Sequence, residues 1–190
     1  MFNFYTKSDY NRVLPEVLLQ SIQQGEYATE VNRIRSLLTE NGAEVRQSLT
    51  LFAHLPKYAP AGDLFLIDGE LELVDYTQMV ALEYRVVDNG QVQSLFEAVS
   101  GDKYTYAAYV NAFGNGVIIW VKTDTPMKRN SHRWTHLALQ TYYRELTGVG
   151  AENNGSEWGD TFEVSFDPDL FHNPDADIFP SDTESINQFM

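Results

Sequence analysis

The chain has 190 residues, of which 43% are hydrophobic and 13% aromatic, a composition typical of globular and not of disordered proteins. It contains no cysteine, which excludes disulfides, thiolate nucleophiles and zinc sites built on sulfur. Its formal net charge is −14, which disfavours binding to phosphate backbones unless a local basic patch overrides the repulsion.

The charges are unevenly distributed. The first 144 residues hold all thirteen Lys and Arg against sixteen acids, whereas residues 145–190 hold eleven Asp or Glu. No apolar run reaches the length of a membrane span, and residues 1–5 lack the basic-then-apolar order of a signal peptide. We therefore expect a cytoplasmic protein with a solvated acidic surface and no membrane partner.

The first third of the chain is predicted to be a short strand over residues 2–5 followed by helices. Helical spacing of apolar residues, with Pro at a first turn and Gly at the ends, predicts helices over residues 15–25, 27–42 and 43–53. Residues 57–62 are predicted to be a loop because they contain Pro and Gly. The side chains expected to face inward in the third helix are Val45, Leu49 and Phe52.

The middle of the chain is strand-like. Residues 64–67, 71–74 and 79–87 are apolar runs separated by Asp-Gly and Asp-Tyr-Thr breaks. Residues 92–101 then form an amphipathic helix that ends at Ser-Gly.

The strongest local signal is a hairpin over residues 106–124. Asn-Gly between two β-branched and aromatic runs predicts a tight turn at Phe113–Gly116 in which both central residues take positive φ. The run Val117–Val121 does not alternate, which predicts a strand covered on both faces at the centre of a sheet. A tight glycine turn also allows a ligand or another backbone to come close, although an ordinary hairpin is the favoured interpretation.

The last part of the chain is predicted to hold a long helix over residues 131–146, a polar loop over 151–159, a half-buried strand over 161–166 and a turn over 167–171. Residues 174–190 are polar and acidic and are expected to be a loosely held tail. The side chains expected on the inner side of the helix are Trp134, Leu137, Ala138, Thr141 and Tyr142. Together the elements predict one α+β domain over residues 1–190.

At this point the order of motifs resembles the VirE N-terminal domain family, a branch of the primase-polymerase superfamily. The helix over 27–38 and the stretch 55–62 are similar to its "LP…G" signature, and 79–86 occupies the place of its "DiD" strand. Residues 110–116 stand where the family has "sPSGkGlK", and 164–176 match "vSyDPdly-x-Np-A". The resemblance implies a primase-polymerase-like core with a small RRM-like antiparallel or mixed sheet packed by helices, with N-terminal helices in addition.

The catalytic residues of that family are not carried across. Active members hold divalent metal with an Asp-x-Asp pair, and this chain has Glu83-Tyr84-Arg85 there, so a cation replaces the second carboxylate. The lysine expected to meet phosphate falls at Ile118, and the arginine before the last strand falls near Asp160. The resemblance thus implies degenerate equivalents at Glu83, Arg85 and Asp160, no catalytic residue and no cofactor. At the hairpin it leaves Asn111, Gly114 and Gly116 as nucleotide-binding or partner-binding candidates.

Two further constellations lie on the long helix. His132 and His136 share a face and are a candidate metal pair, but no third ligand stands at motif spacing and ordinary helix residues are favoured. The residues Lys122, Lys128, Arg129, His132 and Arg133 form a candidate basic patch for phosphate or an acidic partner, with solvated helix charges as the alternative.

Two remaining groups are given ordinary structural roles. The acids Asp167, Asp169, Asp175 and Asp177 miss the spacing of a calcium loop, and Asp167-Pro168 is expected to fix a turn. The aromatic residues Trp120, Trp134, Tyr142, Tyr143 and Phe162 are able to stack nucleic-acid bases, but core packing is the favoured role.

The function we expect is that of a pseudoenzyme: a catalytically degenerate primase-polymerase-like domain that acts as an interaction or regulatory module in DNA replication or mobile-element biology. Its partners are expected to be replication proteins, with little direct nucleic-acid binding. One alternative is a divergent Mg²⁺- or Mn²⁺-dependent primase or polymerase that rebuilds its metal site from Glu83 with Asp88 or Asp160. Another is an acidic decoy that occupies the DNA site of another protein.

Overall fold

The computed structural model describes residues 1–6, 10–38, 43–67, 70–86 and 89–181. Over these residues the chain forms an α+β fold with five helices and sheets of antiparallel strands, which confirms the predicted fold class. Within the described ranges no helix is both long enough and apolar enough to cross a bilayer.

The helices are α1 (Pro15–Gln24), α2 (Ala28–Leu38), α3 (Ala43–Phe52), α4 (Asn89–Ser100) and α5 (Arg129–Thr147). The strands are β1 (Phe2–Tyr5), β2 (Tyr10–Val13), β3 (Lys57–Ala59), β4 (Gly62–Ile67), β5 (Glu70–Tyr76), β6 (Met79–Arg85), β7 (Thr105–Val110), β8 (Gly116–Lys122), β9 (Phe162–Glu163) and β10 (Phe171–His172). They form an N-terminal sheet in the order β2-β1-β3-β9, a central sheet in the order β10-β7-β8-β6 and a β4-β5 hairpin.

The central sheet is covered on both faces, as the run Val117–Val121 predicts. On one face α4 and α5 pack against a cluster that includes Leu82, Ile119 and Val121. On the other face Ile118 and Trp120 belong to the cluster that contains residues of the N-terminal sheet, α1 and α2. Because β8 lies between β7 and β6, all of its residues from Gly116 to Val121 are buried.

The predicted loop over residues 57–62 is wrong in its first half. Residues 57–59 form β3, which pairs with β1 on one side and with β9 on the other. Tyr58 is fully buried between the two sheets, where its ring lies 5.4 Å from that of Trp120. Burial of Tyr58 favours the strand β3 over a loop. Pro60 and Gly62, which suggested a loop, lie where the chain turns from β3 into β4.

The inward faces of two helices were predicted only in part, since Phe52 of α3 and Tyr142 of α5 do pack against the core. In α3, Leu49 is 52% exposed, and Ser48 is buried with its Oγ donating to the carbonyl of Ile34 at 3.3 Å. In α5, Trp134 and Leu137 are 51% and 41% exposed. The buried residues of α5 are His132, Thr135, His136, Ala138, Leu139 and Tyr143. Ala138 is buried as predicted, and Tyr142 packs against the core. Buried polar residues with hydrogen-bond partners therefore shift the inward face of α5 away from Trp134 and Leu137.

The β7–β8 hairpin is confirmed, but its turn differs from the prediction. The strands are joined by residues 111–115, and within the described residues of this turn only Gly114 has positive φ, at 76°. Gly116 is required for another reason, because a Cβ built there would lie 1.8 Å from the carbonyl oxygen of Tyr84. The glycine therefore permits close approach of β6 and does not supply a positive φ.

The C-terminal part of the chain returns to the central sheet. The predicted strand over residues 161–166 is limited to β9, although Val164 N donates to the carbonyl of Pro56 at 2.9 Å in the register of the β3–β9 pair. Further on, Phe179 is fully buried and its N–H donates to the carbonyl of Lys122 at 2.8 Å. Of the predicted tail, residues 182–190 lie outside the described residues, as do Asn41-Gly42 and Val87-Asp88 of the predicted element ends.

Candidate functional site

The centre of the predicted site lies on β6, at the end of the strand nearest the hairpin turn. Glu83 is paired with Ile118 and Arg85 with Gly116 in the β6–β8 ladder. Because alternate residues of a strand share a face, both side chains lie on the side of the central sheet that packs against the N-terminal sheet. The strand therefore presents a carboxylate and a cation side by side between the two sheets.

Glu83 and Arg85 form a bidentate ion pair. Arg85 donates from Nε to Oε1 and from Nη2 to Oε2 of Glu83, both at 3.2 Å, and Asn111 Nδ2 donates to Oε1 at 3.0 Å. The Glu83 side chain is 8% exposed and that of Arg85 is 43% exposed. Burial lowers the pKa of Arg85, but the hydrogen bonds and the charge of Glu83 oppose burial and leave this pKa raised. Both carboxylate oxygens are thus engaged by the protein itself.

Asn111 connects this pair to the hairpin turn. Its Nδ2 also lies 3.2 Å from Asn115 Oδ1, and its Oδ1 accepts the N–H of Asn115 at 3.2 Å. Its carbonyl accepts a hydrogen bond from the N–H of Gly114 at 3.0 Å. The structure therefore brings the predicted candidates Asn111, Gly114 and Gly116 together with the ion pair, and the side chain of Asn111 is used to order the turn.

A second arginine, which is half-buried and which the sequence analysis missed, is hydrogen-bonded to the turn. Arg35 of α2 donates from Nη2 to the carbonyls of Asn111 at 2.8 Å and Phe166 at 3.0 Å. Burial lowers the pKa of Arg35, and the charge of Asp167 partly offsets this effect. Asp167 itself accepts the N–H of Val110 at 2.7 Å and that of Asp169 at 3.0 Å, so it fixes the predicted turn. In the sequence Arg35 is one polar position of an amphipathic helix, which gives no signal of this role.

Two tyrosine hydroxyls are buried in the cluster between the two sheets, on the same side of the central sheet as the ion pair. The hydroxyls of Tyr58 and Tyr109 are hydrogen-bonded to each other, and Trp120 Nε1 donates to Tyr58 at 3.2 Å. Burial raises the pKa of both tyrosines, and the charge of Glu83 acts in the same direction. Both phenols are therefore neutral at physiological pH, and neither is available as an anionic ligand.

These donors do not fit a divalent cation. Mg²⁺ and Mn²⁺ require several oxygen ligands, and here one of the two expected carboxylates is replaced by a guanidinium that occupies both oxygens of the other. Asp160 lies in the loop after α5, where its Oδ2 accepts the N–H groups of Gly155 and Glu157, both at 2.9 Å. Asp88 lies outside the described residues. Elsewhere in the described ranges no three His, Asp or Glu side chains are grouped so as to hold a metal ion.

The cations of the predicted basic patch contact different partners. Lys122 lies at the end of β8, where Nζ is 4.7 Å from the ring centre of Tyr106 and donates to the carbonyl of Pro174. Arg133 donates to Glu157, and Arg129 Nε lies 4.0 Å from the same carboxylate. Lys128 is exposed at the beginning of α5. Lys122 thus contacts the segment that contains Pro174, whereas the arginines at the beginning of α5 contact the loop that contains Glu157.

His132 and His136 are buried and hold the loop that follows α5. His132 Nδ1 lies 2.9 Å from the hydroxyl of Tyr76, and its Nε2 lies 2.9 Å from the carbonyl oxygen of Gly155. His136 Nε2 lies 3.3 Å from the carbonyl oxygen of Asn154. Burial lowers the pKa of His132, and burial and then His132 lower that of His136 to about 4. Both ring nitrogens of His132 are already paired within the protein, so this histidine does not belong to the accessible basic patch.

Comparison with known proteins gives one finding. A family model described as BT4734-like, N-terminal domain matches residues 50–172, which include β3, the central sheet, α4 and α5. No curated protein and no solved structure matches the chain.

Proposed function

From the premise that the chain belongs to the BT4734-like N-terminal domain family, we propose that it is a catalytically degenerate primase-polymerase-like domain. Its role is that of an interaction or regulatory module for proteins of DNA replication or of a mobile element. This proposal joins the resemblance to the VirE N-terminal domain family with the arrangement of charged residues on β6.

The order of elements in the central sheet supports the relationship to RRM-like sheets. The chain runs β6-α4-β7-β8-α5 and then returns to β6, where Ala151 forms an antiparallel bridge with Tyr84. The spatial order is thus the returning segment, β6, β8 and β7, with α4 and α5 packed on one face. This order supports the split β-α-β arrangement that the resemblance implies for a small RRM-like sheet. The opposite face is covered by the N-terminal sheet, α1 and α2, which disfavours base stacking on that face.

The observation that carries the proposal is the ion pair between Arg85 and Glu83. A metal site for phosphoryl transfer needs a concentration of negative charge to hold its cation and to place it against phosphate oxygens. Here the positive charge is supplied by the chain itself, at 3.2 Å from both oxygens of the remaining acid. A dication approaching Glu83 must displace a guanidinium and then lie beside it, which is electrostatically unfavourable.

The phosphate side of such a site is changed as well. The position at which the resemblance places a lysine is Ile118, whose side chain is buried in the cluster between the two sheets. A buried aliphatic residue has no charge to offer a triphosphate. On this proposal, β6 and β8 lack two independent requirements of nucleotidyl transfer, a carboxylate pair for the metal and a cation for the phosphates.

A primer-extension assay tests the proposal. The chain is incubated with a primed template, deoxynucleotides or ribonucleotides, and Mg²⁺ or Mn²⁺, with Glu83→Ala as the matched variant. We expect the wild-type protein and the variant to give the same background. Primer extension by the wild-type protein that disappears in Glu83→Ala would contradict the proposal, because it would show that Glu83 still serves a metal.

A further inference from the structure

The inward face of α5 combines apolar residues of the core, Ala138, Leu139 and Tyr143, with buried polar residues. Thr135 accepts a hydrogen bond from the hydroxyl of Thr125 at 2.9 Å, and Tyr143 is hydrogen-bonded to Thr105 at 2.8 Å. His132 and His136 are hydrogen-bonded to backbone carbonyls of the loop that follows the helix. Turning α5 to bury Trp134 and Leu137 would break these hydrogen bonds, and a buried polar group without a partner costs about 1–3 kcal/mol. The fold therefore keeps Trp134 and Leu137 on the outer side of the helix.

The outward side of α5 forms an apolar groove. Trp134 and Leu137 lie one turn apart and remain half exposed, and Met127 is 47% exposed just before the helix begins. A groove of about 310 Å³ is lined by Asn130, Arg133, Trp134 and Leu137. These positions follow the i, i+3, i+4, i+7 spacing of one helix face, so the groove runs along the helix for about two turns.

Cations border this groove on a protein that is otherwise strongly acidic. Lys128, Arg129 and Arg133 lie at the beginning of α5, and Glu157 is the acid that contacts the two arginines. The side chains of Arg129 and Arg133 remain 60% and 56% exposed. With a net charge of −14 for the whole chain, this local excess of cations stands out from its surroundings.

We propose that the outer face of α5 binds an acidic amphipathic helix of a partner protein, in a helix-in-groove mode. Aliphatic or aromatic side chains of the partner cover Trp134 and Leu137, and its acids meet Lys128, Arg129 and Arg133. The inference rests on the proposed function, because it identifies the partner surface of the interaction module.

A single-stranded nucleic acid fits this face less well than an acidic peptide. Stacking platforms use several aromatic side chains along a basic groove, whereas this face offers one exposed tryptophan beside Leu137 and Met127. Burial of Leu137 and Met127 is favourable against apolar side chains of a peptide and is not favourable against phosphates. The charge of the chain as a whole also opposes a phosphate backbone.

The test selects ligands without presupposing a partner. A display library of random peptides of about 16 residues, roughly four helical turns, is selected on the full chain. We expect enriched peptides to carry acids and to repeat apolar residues at i, i+3 or i+4, and i+7. Enrichment of basic peptides, or of peptides without this spacing, would overturn the proposal, and so would the absence of enrichment.

The most enriched peptide is then measured by fluorescence polarisation against matched variants. Trp134→Ser and Leu137→Ser should each weaken binding by at least about tenfold, as expected for anchor residues, and Arg133→Gln by about threefold. Leu146→Ser is the control, since Leu146 is 45% exposed near the other end of α5 and should leave binding unchanged. Circular dichroism verifies that each variant is folded.

Two outcomes of these measurements would overturn the inference. One is peptide binding that Trp134→Ser leaves unchanged. The other is binding of an oligothymidylate of about 20 nucleotides that Trp134→Ser abolishes, which would assign the face to nucleic acid. Failure of the proposed function is distinguishable, because it appears as Glu83-dependent primer extension and does not alter the peptide measurements.

Discussion

The Glu83–Arg85 pair gives a prediction whose size follows from its exposure. Breaking a fully buried ion pair by removing one partner costs about 3–5 kcal/mol, and a fully exposed pair contributes about 0–1 kcal/mol. Here Glu83 is almost fully buried and Arg85 is about half exposed to solvent, which screens the interaction. We therefore expect Arg85→Met to lower the free energy of unfolding by about 1–2 kcal/mol, because Glu83 keeps only its hydrogen bond from Asn111.

A double-mutant cycle isolates the interaction from other effects of the substitutions. Glu83→Gln preserves the shape and the acceptor for Asn111 but removes the charge, so it should cost about 1 kcal/mol. In the Glu83→Gln background, Arg85→Met should lower the free energy of unfolding by less than it does in the wild-type protein. Urea unfolding of the four proteins should therefore give a coupling free energy of about 1 kcal/mol. Additive losses within about 0.3 kcal/mol would refute the reasoning, because the two side chains would then not stabilise each other in solution.

Three further predictions concern the framework around the site. Gly116→Ala should destabilise the protein by about 3 kcal/mol or more in urea unfolding, since the new Cβ must push β6 away. Gly150→Ala is the control, because open space surrounds Gly150, and it should change the stability by less than about 0.5 kcal/mol. Tyr58→Phe should cost about 2 kcal/mol by thermal or urea unfolding, because two buried hydrogen-bond partners lose their contact; an unchanged midpoint would contradict this. His136 has a pKa of about 4 in the folded state, whereas its pKa in the unfolded state is about 6.5. As the pH falls from about 6.5 to 4, only the unfolded state takes up this proton. The free energy of unfolding should therefore decrease by about 3 kcal/mol over this range. His136→Gln should flatten that part of the pH profile, and an equal slope in both proteins would contradict the reasoning.

The local patterns of the sequence predicted the central sheet well. Consecutive apolar residues in Val117–Val121 correctly predicted a strand buried on both faces, because only such a strand excludes polar residues for its whole length. The amphipathic helices α1, α2 and α4 and the hairpin were predicted for a similar reason, since each element carries its own signal of period and termination.

The errors arose where distant residues decide the structure. Tyr58 becomes part of a strand through β1, β9 and Trp120, which are far from it in the sequence. Apolar periodicity wrongly placed Trp134 and Leu137 on the inner face of α5, because His132 and Thr135 find buried hydrogen-bond partners that no local pattern reveals.

The site was predicted in part. Replacement of the expected acid at Arg85 was visible in the sequence, but its bidentate contact with Glu83 and the support from Asn111 depend on the β6–β8 register. Arg35 was missed because its partners are backbone carbonyls of a distant turn and of the segment that precedes Asp167. Every residue has a backbone carbonyl, so the sequence does not indicate which carbonyls accept a hydrogen bond from Arg35.

Titration with Mn²⁺, followed by electron paramagnetic resonance, tests the central claim about β6 most directly. If the guanidinium fills the place of the cation at Glu83, the wild-type protein should leave Mn²⁺ free at millimolar concentration, and Arg85→Asp should introduce a site that Glu83→Gln removes again. Stoichiometric binding of Mn²⁺ by the wild-type protein, lost in Glu83→Gln, would contradict the account.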